Sequence, residues 1–361
     1  MGGKIKPVRA VPAGQLSVKF SHRYGISTLQ KSRLLCGHRA DPSHTLDVYA
    51  RYYTYLAILC QTIYLPLPLK YYIIKGAMEK CTLCPVSCGA DRQTTMGYCG
   101  VSGVKIAKYY LHPFEEPPIS FSNGSGCVFF CGCSLKCVFC QNYELSRVQR
   151  GKNFSVKELA DIFRQLEEEG ADNINLVNPT HYVAHIAEAM ALYRPKIPVV
   201  YNTHGYEKLS TLKLADTFTD IYLPDLKFID KTLSKRYTGK GNYAEYALPA
   251  INFMAQKPLK MRDDGKMLSG CIVRHLILPL AAYDSVEIVK FISTLPRTVY
   301  FSLMSQYTPF GDIENFKELQ RPITSREYKK VLAAVEEFGL KNVFLQDKTS
   351  SGEVFIPDWD F

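Results

Sequence analysis

The chain has 361 residues, which is enough for one large domain with additions or for two domains. With 47% hydrophobic and 22% charged residues, its composition is that of a globular protein rather than of a disordered or fibrous chain. The chain is too long for a small disulfide scaffold, so its twelve cysteines indicate a reducing compartment, the cytoplasm, and metal chemistry.

The net charge of +10 comes almost entirely from a basic leader, residues 1–77. The leader holds eleven Lys and Arg and two acids, whereas the other 284 residues hold 33 basic and 32 acidic side chains. Because the excess is confined to the leader, we do not infer nucleic-acid binding. Met78 lies three residues before Cys81, so the leader is either native sequence or upstream sequence read from a misplaced start.

One apolar stretch of the leader raises the question of a membrane span. Residues 52–69 are uncharged, and their number, 18, is at the short end of what crosses a bilayer. The stretch contains Gln61, Pro66 and Pro68, which suit such a helix poorly. We therefore expect no membrane span. We also expect no secretory signal, because the apolar stretch begins late and no small-residue cleavage site follows it.

Four cysteines follow the leader in the spacing C-x2-C-x3-C-x10-C, namely Cys81, Cys84, Cys88 and Cys99. Proline and glycine residues around them predict a compact, turn-rich knuckle within residues 78–120. Four thiolates suit a structural zinc ion and a 4Fe–4S cluster equally. We predict a closed metal site, either structural or electron-transferring, with zinc and a second cluster both open as the metal.

The most informative segment has the spacing C-x3-C-x2-C, formed by Cys133, Cys137 and Cys140. It follows an apolar run, Cys127 to Phe130, that is typical of a strand. Three thiolates can hold three irons of a 4Fe–4S cluster and leave the fourth iron open to a small molecule. A zinc knuckle is the alternative, because C-x2-C pairs also bind zinc.

In this segment the chain resembles the radical S-adenosylmethionine (SAM) superfamily, in which such a loop follows the first barrel strand. The resemblance implies that the open iron binds SAM and that the cluster cleaves it reductively to a 5′-deoxyadenosyl radical, which abstracts hydrogen from a substrate. It also implies that Phe139 lies near the adenine. An electron donor such as flavodoxin or ferredoxin would reduce the cluster.

After Cys140 the sequence alternates between strand and helix patterns. Strands are predicted at residues 173–178, 198–201, 221–223, 271–278, 299–303 and 343–345, and helices at 154–170, 180–193, 285–295 and 324–339. Capping boxes open two helices, Ser155 with Glu158 and Thr324 with Glu327. This alternation predicts an α/β fold with a parallel sheet, which we interpret as a partial (β/α)6 barrel of the radical SAM type over residues 121–361.

Polar residues follow the apolar runs, and the C-terminal ends of barrel strands are where chemistry is placed. The second, third and fourth strands of the predicted barrel end in Asn178-Pro-Thr180-His181, Asn202-Thr-His204-Gly and Asp225-Leu-Lys227. The fifth strand carries Arg274, which needs a partner if it is buried.

From Cys81 onward the chain resembles uncharacterised relatives of pyruvate-formate-lyase activating enzyme. In activating enzymes the third strand ends in Asp-Thr-Asn-Gly and the fourth in Asp-Leu-Lys. The resemblance implies that Asn202, Asp225 and Lys227 contact the methionine carboxylate or the ribose, since lysine suits a carboxylate. The Gly-Gly-Glu motif usual after the second strand is absent, so Asn178 and Thr180 are predicted to offer oxygens to the methionine amine or, alternatively, to cap a helix.

The resemblance suggests an activase that makes a glycyl radical on a partner enzyme. A radical SAM enzyme acting on a small molecule or a peptide is the alternative. A non-enzymatic iron–sulfur electron carrier is an alternative of another class, which the C-x3-C-x2-C loop on a β/α barrel argues against. The residues identify no catalytic side chain beyond the cofactor ligands.

Overall fold

A computed structural model describes residues 80–345, with the exception of residues 93 and 122. The basic leader and its apolar stretch at residues 52–69 lie outside the described residues. Within them, no helix has both the length and the apolar character that a membrane span requires.

The described residues form ten strands and seven α-helices. The strands are β1 (Val104–His112), β2 (Ser125–Phe130), β3 (Lys152–Phe154), β4 (Ile174–Val177), β5 (Val199–Thr203), β6 (Ile221–Pro224), β7 (Lys260–Met261), β8 (Met267–Leu276), β9 (Tyr300–Met304) and β10 (Val343–Leu345). The helices are α1 (Val156–Glu168), α2 (Val183–Leu192), α3 (Leu209–Ala215), α4 (Lys231–Thr238), α5 (Tyr243–Met254), α6 (Ala282–Ile292) and α7 (Ser325–Glu337).

Seven strands run parallel in the order β2, β4, β5, β6, β8, β9 and β10. Helices connect successive parallel strands, which is the predicted α/β fold. Six of these strands correspond to the six predicted barrel units, namely β2, β4, β5, β6, β8 and β9. β10 extends the sheet. β1 is antiparallel to β2, so the sheet continues across the boundary predicted near residue 120.

Local sequence signals explain where two of the helices begin. The Ser155 hydroxyl accepts a hydrogen bond from the Glu158 amide, and the Glu158 carboxylate accepts one from the Ser155 amide at 2.7 Å. Thr324 and Glu327 repeat this arrangement at α7. Both capping boxes are therefore confirmed. The helix patterns of α3, α4 and α5 escaped prediction, and α5 contains Pro249, which usually interrupts a helix.

The two faces of the parallel sheet bury different sets of residues. One face packs beneath the helices through residues such as Tyr201 and Tyr222. Alternation places Val200, Ile221 and Ile272 on the opposite face, where they pack against Ile119. Residues 113–120 therefore cross this second face, and the C-terminal ends of the strands are left to form a cavity.

Candidate functional site

A cavity of about 290 Å³ lies at the C-terminal ends of the parallel strands. Its wall includes the three loop cysteines, Cys133, Cys137 and Cys140. It also includes five of the six residues predicted to contact SAM, namely Phe139, Asn178, Asn202, Asp225 and Lys227. The structure thus gathers residues that are almost a hundred positions apart in sequence into one site.

The cysteine loop is fixed to its surroundings through its backbone. The Val138 amide donates to the Tyr237 carbonyl at 2.9 Å, and the Val138 carbonyl accepts from the Asp312 amide at 2.8 Å. Lys136 adopts a left-handed conformation, with φ of 56°, which turns the chain between the first two cysteines. These contacts hold the loop against the end of α4 and the segment after β9.

The donor set of the loop fits an iron–sulfur cluster. Cys133 and Cys137 are buried and shielded from bulk water, and Cys140 is half-buried. The Leu135 amide donates to Cys133 Sγ at 3.4 Å, and the Ser146 hydroxyl donates to Cys140 Sγ at 3.5 Å. Hydrogen bonds to ligating sulfurs are a common feature of such sites.

Each thiolate of an iron–sulfur cluster binds a different iron, so the three sulfurs need not meet at one point. Burial raises the pKa of the Cys133 thiol to about 11, while hydrogen bonds and the charge of Lys227 oppose this increase. Across the described segments, no three His, Cys, Asp or Glu side chains are grouped to hold a single metal ion.

Partly buried charges form a network across the cavity wall. Arg274 Nε donates to Asp225 Oδ1 at 2.8 Å, and Lys227 Nζ donates to Asp225 Oδ2 at 2.8 Å. Arg274 also donates to Asn202 Oδ1 at 2.7 Å. Burial by itself would raise the pKa of Asp225, but Arg274 and Lys227 lower it to about 2. Asp225 is therefore a carboxylate at neutral pH, and Arg274, whose side chain is only 16% exposed, has an anionic partner.

Glu115 completes this network, although no motif in the sequence predicts it there. Glu115 Oε2 lies 3.4 Å from Arg274 Nη1, and Glu115 Oε1 accepts from Asn175 Nδ2 at 2.9 Å. Glu115 reaches the cavity because residues 113–120 cross the face of the sheet that lies opposite the helices. The one signal in the sequence that points to Glu115 is the acidic pair Glu115-Glu116, which lies among prolines. Burial raises the pKa of Glu116 to about 7, and Arg274 opposes the increase.

Asn178 offers the cavity an acceptor. Its backbone is left-handed, with φ of 61°, and its Nδ2 donates to the Gly132 carbonyl at 2.6 Å. Its Oδ1 is buried and has no hydrogen-bond partner in the described structure. An unpaired buried acceptor is costly, and a bound ammonium group would supply the missing donor. The residue therefore fits the predicted contact with the methionine amine.

Thr180 does not line the cavity. Its hydroxyl donates to Glu207 Oε1 at 2.6 Å, and the hydroxyls of Tyr201 and Thr203 donate to the same oxygen. Neither Asn178 nor Thr180 caps a helix, because the caps before the 3-10 turn and α2 are Pro179 and Tyr182. The capping alternative is therefore wrong, and Thr180 supports a buried carboxyl beside the site.

Both histidines of the strand-end motifs are buried. His204 lines the cavity, and its Nδ1 accepts from the Tyr206 amide at 3.1 Å, which leaves the proton on Nε2 near Ser134. Burial, aided by Lys227, lowers the pKa of His204 to about 3, so this ring is neutral. His181 lies 2.9 Å from the Cys131 carbonyl through Nε2 and stays outside the cavity wall.

The four upstream cysteines form a knuckle beside the cysteine loop. Cys81, Cys84 and Cys99 are buried, and Cys88 is exposed. The Gly89 amide donates to the Cys81 carbonyl at 3.0 Å, and the Ser87 amide donates to the Cys84 carbonyl at 3.0 Å. The segment is thus compact and turn-rich around these cysteines, although their sulfurs are not grouped to hold a single metal ion.

Residues 127–260 match the family model of the radical SAM superfamily. The chain is 28% identical over 288 residues to the uncharacterized protein MJ0674 of Methanocaldococcus jannaschii, an alignment that covers 77% of this chain and 80% of the other.

Similar solved structures share about 15% identity with this chain and have TM-scores below 0.5. Streptococcus suis SuiB bound to the precursor peptide SuiA gives a TM-score of 0.42 at 15% identity, with 60% of this chain and 46% of that chain covered. This chain thus spans under half of SuiB. A domain of pyruvate-formate lyase-activating enzyme from Bacteroides vulgatus gives 0.33 at 15% identity, with 53% and 91% covered.

The matched segment begins in β2 and contains the cysteine loop together with Asn178, Asn202, Asp225 and Lys227. It therefore includes the three thiols and every residue predicted to contact SAM. Arg274, Glu115 and the four-cysteine knuckle lie outside it. Residues 127–260 are a domain of the radical SAM superfamily.

Proposed function

We propose that this protein is a radical SAM enzyme whose three loop cysteines hold a 4Fe–4S cluster and whose cavity binds SAM. The observation that carries the proposal is that Cys133, Cys137 and Cys140 line the same cavity as the network of Asp225 and Lys227. Cluster and cofactor together supply one-electron chemistry that leads to abstraction of a hydrogen atom from a substrate.

The chain's own residues would bind and orient the cofactor. Lys227 Nζ provides a positive charge for the methionine carboxylate, and Asn178 Oδ1 provides an acceptor for the amine. Asp225 stays ionised beside two cations, so it can accept hydrogen bonds from ribose hydroxyls. Phe139 is held edge-on by Phe228 and Tyr237, with ring centroids about 6 Å apart, and gives the cavity an apolar wall for the adenine.

We further propose that Cys81, Cys84, Cys88 and Cys99 hold a second, closed metal site and that a donor such as flavodoxin or ferredoxin supplies the electron. The substrate that we propose is a glycyl residue of a partner enzyme, by the resemblance to activating enzymes. A small molecule or a peptide is the alternative substrate. With either substrate, a hydrogen atom is transferred to the 5′-deoxyadenosyl fragment of SAM. Deuterium from a labelled substrate should therefore appear in the 5′-deoxyadenosine.

The test is anaerobic reconstitution with iron and sulfide, followed by dithionite and SAM. We expect the wild-type protein to form 5′-deoxyadenosine and the Cys137→Ala variant to lose at least about a hundredfold, because one ligand of the cluster is missing. Cys271→Ala is the matched control, since Cys271 is buried in β8 and does not line the cavity.

The electron-carrier alternative predicts a different result. A carrier would bind iron and sulfide but would form no 5′-deoxyadenosine, and SAM would leave the electron paramagnetic resonance (EPR) spectrum of its reduced cluster unchanged. Both outcomes together would reject the enzymatic function.

A further inference from the structure

One tyrosine hydroxyl joins the two strand ends that carry most of the predicted SAM contacts. Tyr243 is the first residue of α5, and its side chain is fully buried. Its hydroxyl shares its proton between two carbonyl oxygens, those of His204 and Asp225, each 2.9 Å away. The same hydroxyl accepts a hydrogen bond from the Lys227 amide at 3.0 Å. All the hydrogen-bonding capacity of this one group is therefore used by the backbone of the two strand ends.

The two strand ends need such a bridge because regular strand pairing stops before them. The ladder between β5 and β6 ends at Thr203 and Pro224, and one more backbone bond follows, from the Asp225 amide to the Thr203 carbonyl at 2.8 Å. Beyond it, the described residues show no backbone hydrogen bond between segment 204–206 and segment 226–228. The hydroxyl of Tyr243 takes the place of the next ladder bond.

The strand ends approach each other closely because Gly205 has no side chain. Its φ is 78°, a left-handed conformation that glycine adopts readily. A Cβ added there would lie 2.5 Å from the Asp225 carbonyl oxygen and 2.9 Å from the Tyr243 hydroxyl. The end of β5 thus packs directly against the residue after β6, with the hydroxyl between them.

The ring of Tyr243 is fixed by its aromatic neighbours, so its hydroxyl has a defined position. Tyr206 stacks against it with the ring centroids 6.0 Å apart and the planes 21° apart. Phe228 packs edge-on, with the centroids 6.0 Å apart. The hydroxyl of Tyr206 donates instead to Asn242 Oδ1 at 2.8 Å, at the start of α5, so the two stacked tyrosines differ in what their hydroxyls hold.

The side chains on both sides of this joint line the cavity, whereas Tyr243 lies behind the cavity wall. Asn202 and Asp225 are held together on the cavity side by Arg274, which donates to an oxygen of each. Tyr243 holds the backbone of the same two segments from the side of the helices. The backbone of Lys227 is bonded to the tyrosine directly, so the position of its ammonium group depends on this hydroxyl.

We propose that Tyr243 is a positioning residue of the SAM site. Its hydroxyl sets the spacing between the end of β5 and the Asp225-Leu-Lys227 segment, and it thereby places Lys227 for the methionine carboxylate. This inference rests on the proposed function. Displacements of about 1 Å in groups that position a ligand cost much of their effect, so a lost backbone tie should be measurable at the site.

The first experiment needs no SAM. Hydrogen exchange at the Lys227 amide is measured in the reconstituted full chain by fragmentation mass spectrometry. Tyr243→Phe should speed this exchange at least about tenfold, because the amide loses its acceptor. Tyr206→Phe is the matched control, since it removes a hydroxyl from the same aromatic stack, and it should change the exchange less than about twofold. Equal exchange in Tyr243→Phe and wild type overturns the proposal.

The second experiment measures the dissociation constant for SAM by anaerobic equilibrium dialysis. Tyr243→Phe should raise it about tenfold, and Tyr206→Phe less than about twofold. Urea denaturation of both variants accompanies the measurement, because each loses one hydroxyl hydrogen bond. A role of Tyr243 in folding alone would weaken SAM binding equally in the two variants, and that result overturns the proposal.

A third variant tests the joint from the side of β5 and keeps Tyr243 intact. Gly205→Ala inserts a methyl group between the hydroxyl and the Asp225 carbonyl, and it should also raise the dissociation constant at least about tenfold. Gly239→Ala is its control, since its φ is 72° and nothing lies within 4 Å of the added Cβ. SAM affinity that is unchanged in both Tyr243→Phe and Gly205→Ala overturns the proposal.

The wild-type protein separates this inference from the proposed function. A wild-type chain that binds no SAM rejects the proposed function and, with it, a role of Tyr243 at a cofactor site. A wild-type chain that binds SAM as tightly as Tyr243→Phe does keeps the proposed function and rejects only the role of Tyr243.

Discussion

Arg274 Nε and Asp225 Oδ1 lie 2.8 Å apart, and this ion pair joins β8 to the residue that follows β6. The second carboxylate oxygen of Asp225 is held by Lys227 at 2.8 Å. Both acidic oxygens are thus fixed by cations, one from β8 and one from the segment that follows β6. The position of Lys227 in the cavity therefore depends on a residue that lies outside the matched superfamily segment.

Arg274→Met should destabilise the fold by about 2–3 kcal/mol, because it leaves the partly buried Asp225 and Glu115 with one cation fewer. The measurement is anaerobic urea denaturation. The matched control is Arg262→Met, whose arginine pairs with Asp264 but is 55% exposed in its side chain. We expect less than about 1 kcal/mol for that exposed pair. Equal losses of stability in the two variants would contradict the importance of the network around Asp225.

Asn178→Gly should weaken SAM binding about tenfold, which is about 1.4 kcal/mol, because the cavity loses an acceptor. Glycine keeps the positive φ of the native backbone available, so the variant isolates the side chain. The dissociation constant is measured by anaerobic equilibrium dialysis of the reconstituted protein. An unchanged constant would remove Asn178 from the binding site.

Thr180→Val should cost about 1 kcal/mol of folding stability, since one hydrogen bond to the buried Glu207 is lost. Its dissociation constant for SAM should change less than about twofold, because Thr180 lies behind the cavity wall. Urea denaturation and the same dialysis measurement give the two values. A tenfold loss of SAM affinity would return Thr180 to the cofactor site.

Glu207→Gln should change how stability depends on pH. Burial raises the pKa of Glu207 to about 7, and hydrogen bonds from Thr180 and Thr203 oppose the increase. Between the unfolded pKa, near 4.5, and 7, the folded state holds a proton that the unfolded state has lost. Stability from this group is therefore complete below that interval and falls as pH rises through it, by about 1.4 kcal/mol per unit.

The check is anaerobic urea denaturation of both proteins at several pH values from 5 to 8. The stability of Glu207→Gln relative to wild type should rise with pH up to about 7 and then level off. A difference independent of pH would show that Glu207 titrates as an ordinary carboxyl.

Gly132→Ala should disturb the contact between knuckle and loop. A Cβ there would meet the Cys99 carbonyl oxygen at 2.6 Å, and the backbone has φ of 78°. We expect the free energy of unfolding to fall by more than about 2 kcal/mol, because the clash adds to the cost of a positive φ. Gly239→Ala is the matched control, since its φ is 72° and nothing lies within 4 Å of its added Cβ. Urea denaturation should show only the smaller conformational cost for the control.

The sequence by itself determined the parts of this protein whose signals are local. The three loop cysteines lie within eight positions of one another, so one short turn can present them together. Capping boxes are likewise short-range, because the cap and its partner are three residues apart, and both were found where predicted. Strand and helix periodicity then gave the α/β fold and placed polar residues at the ends of parallel strands.

Only the tertiary structure decided which of these residues share a site. Strand order brings Glu115 beside Arg274, although 158 residues lie between them, and no local pattern encodes that pairing. A turn of backbone separates Asn178, which faces the cavity, from Thr180, which faces Glu207. Contacts between distant segments depend on how the strands are ordered and packed. Spacing alone therefore predicts the cysteines of the loop, whereas packing selects the residues around them.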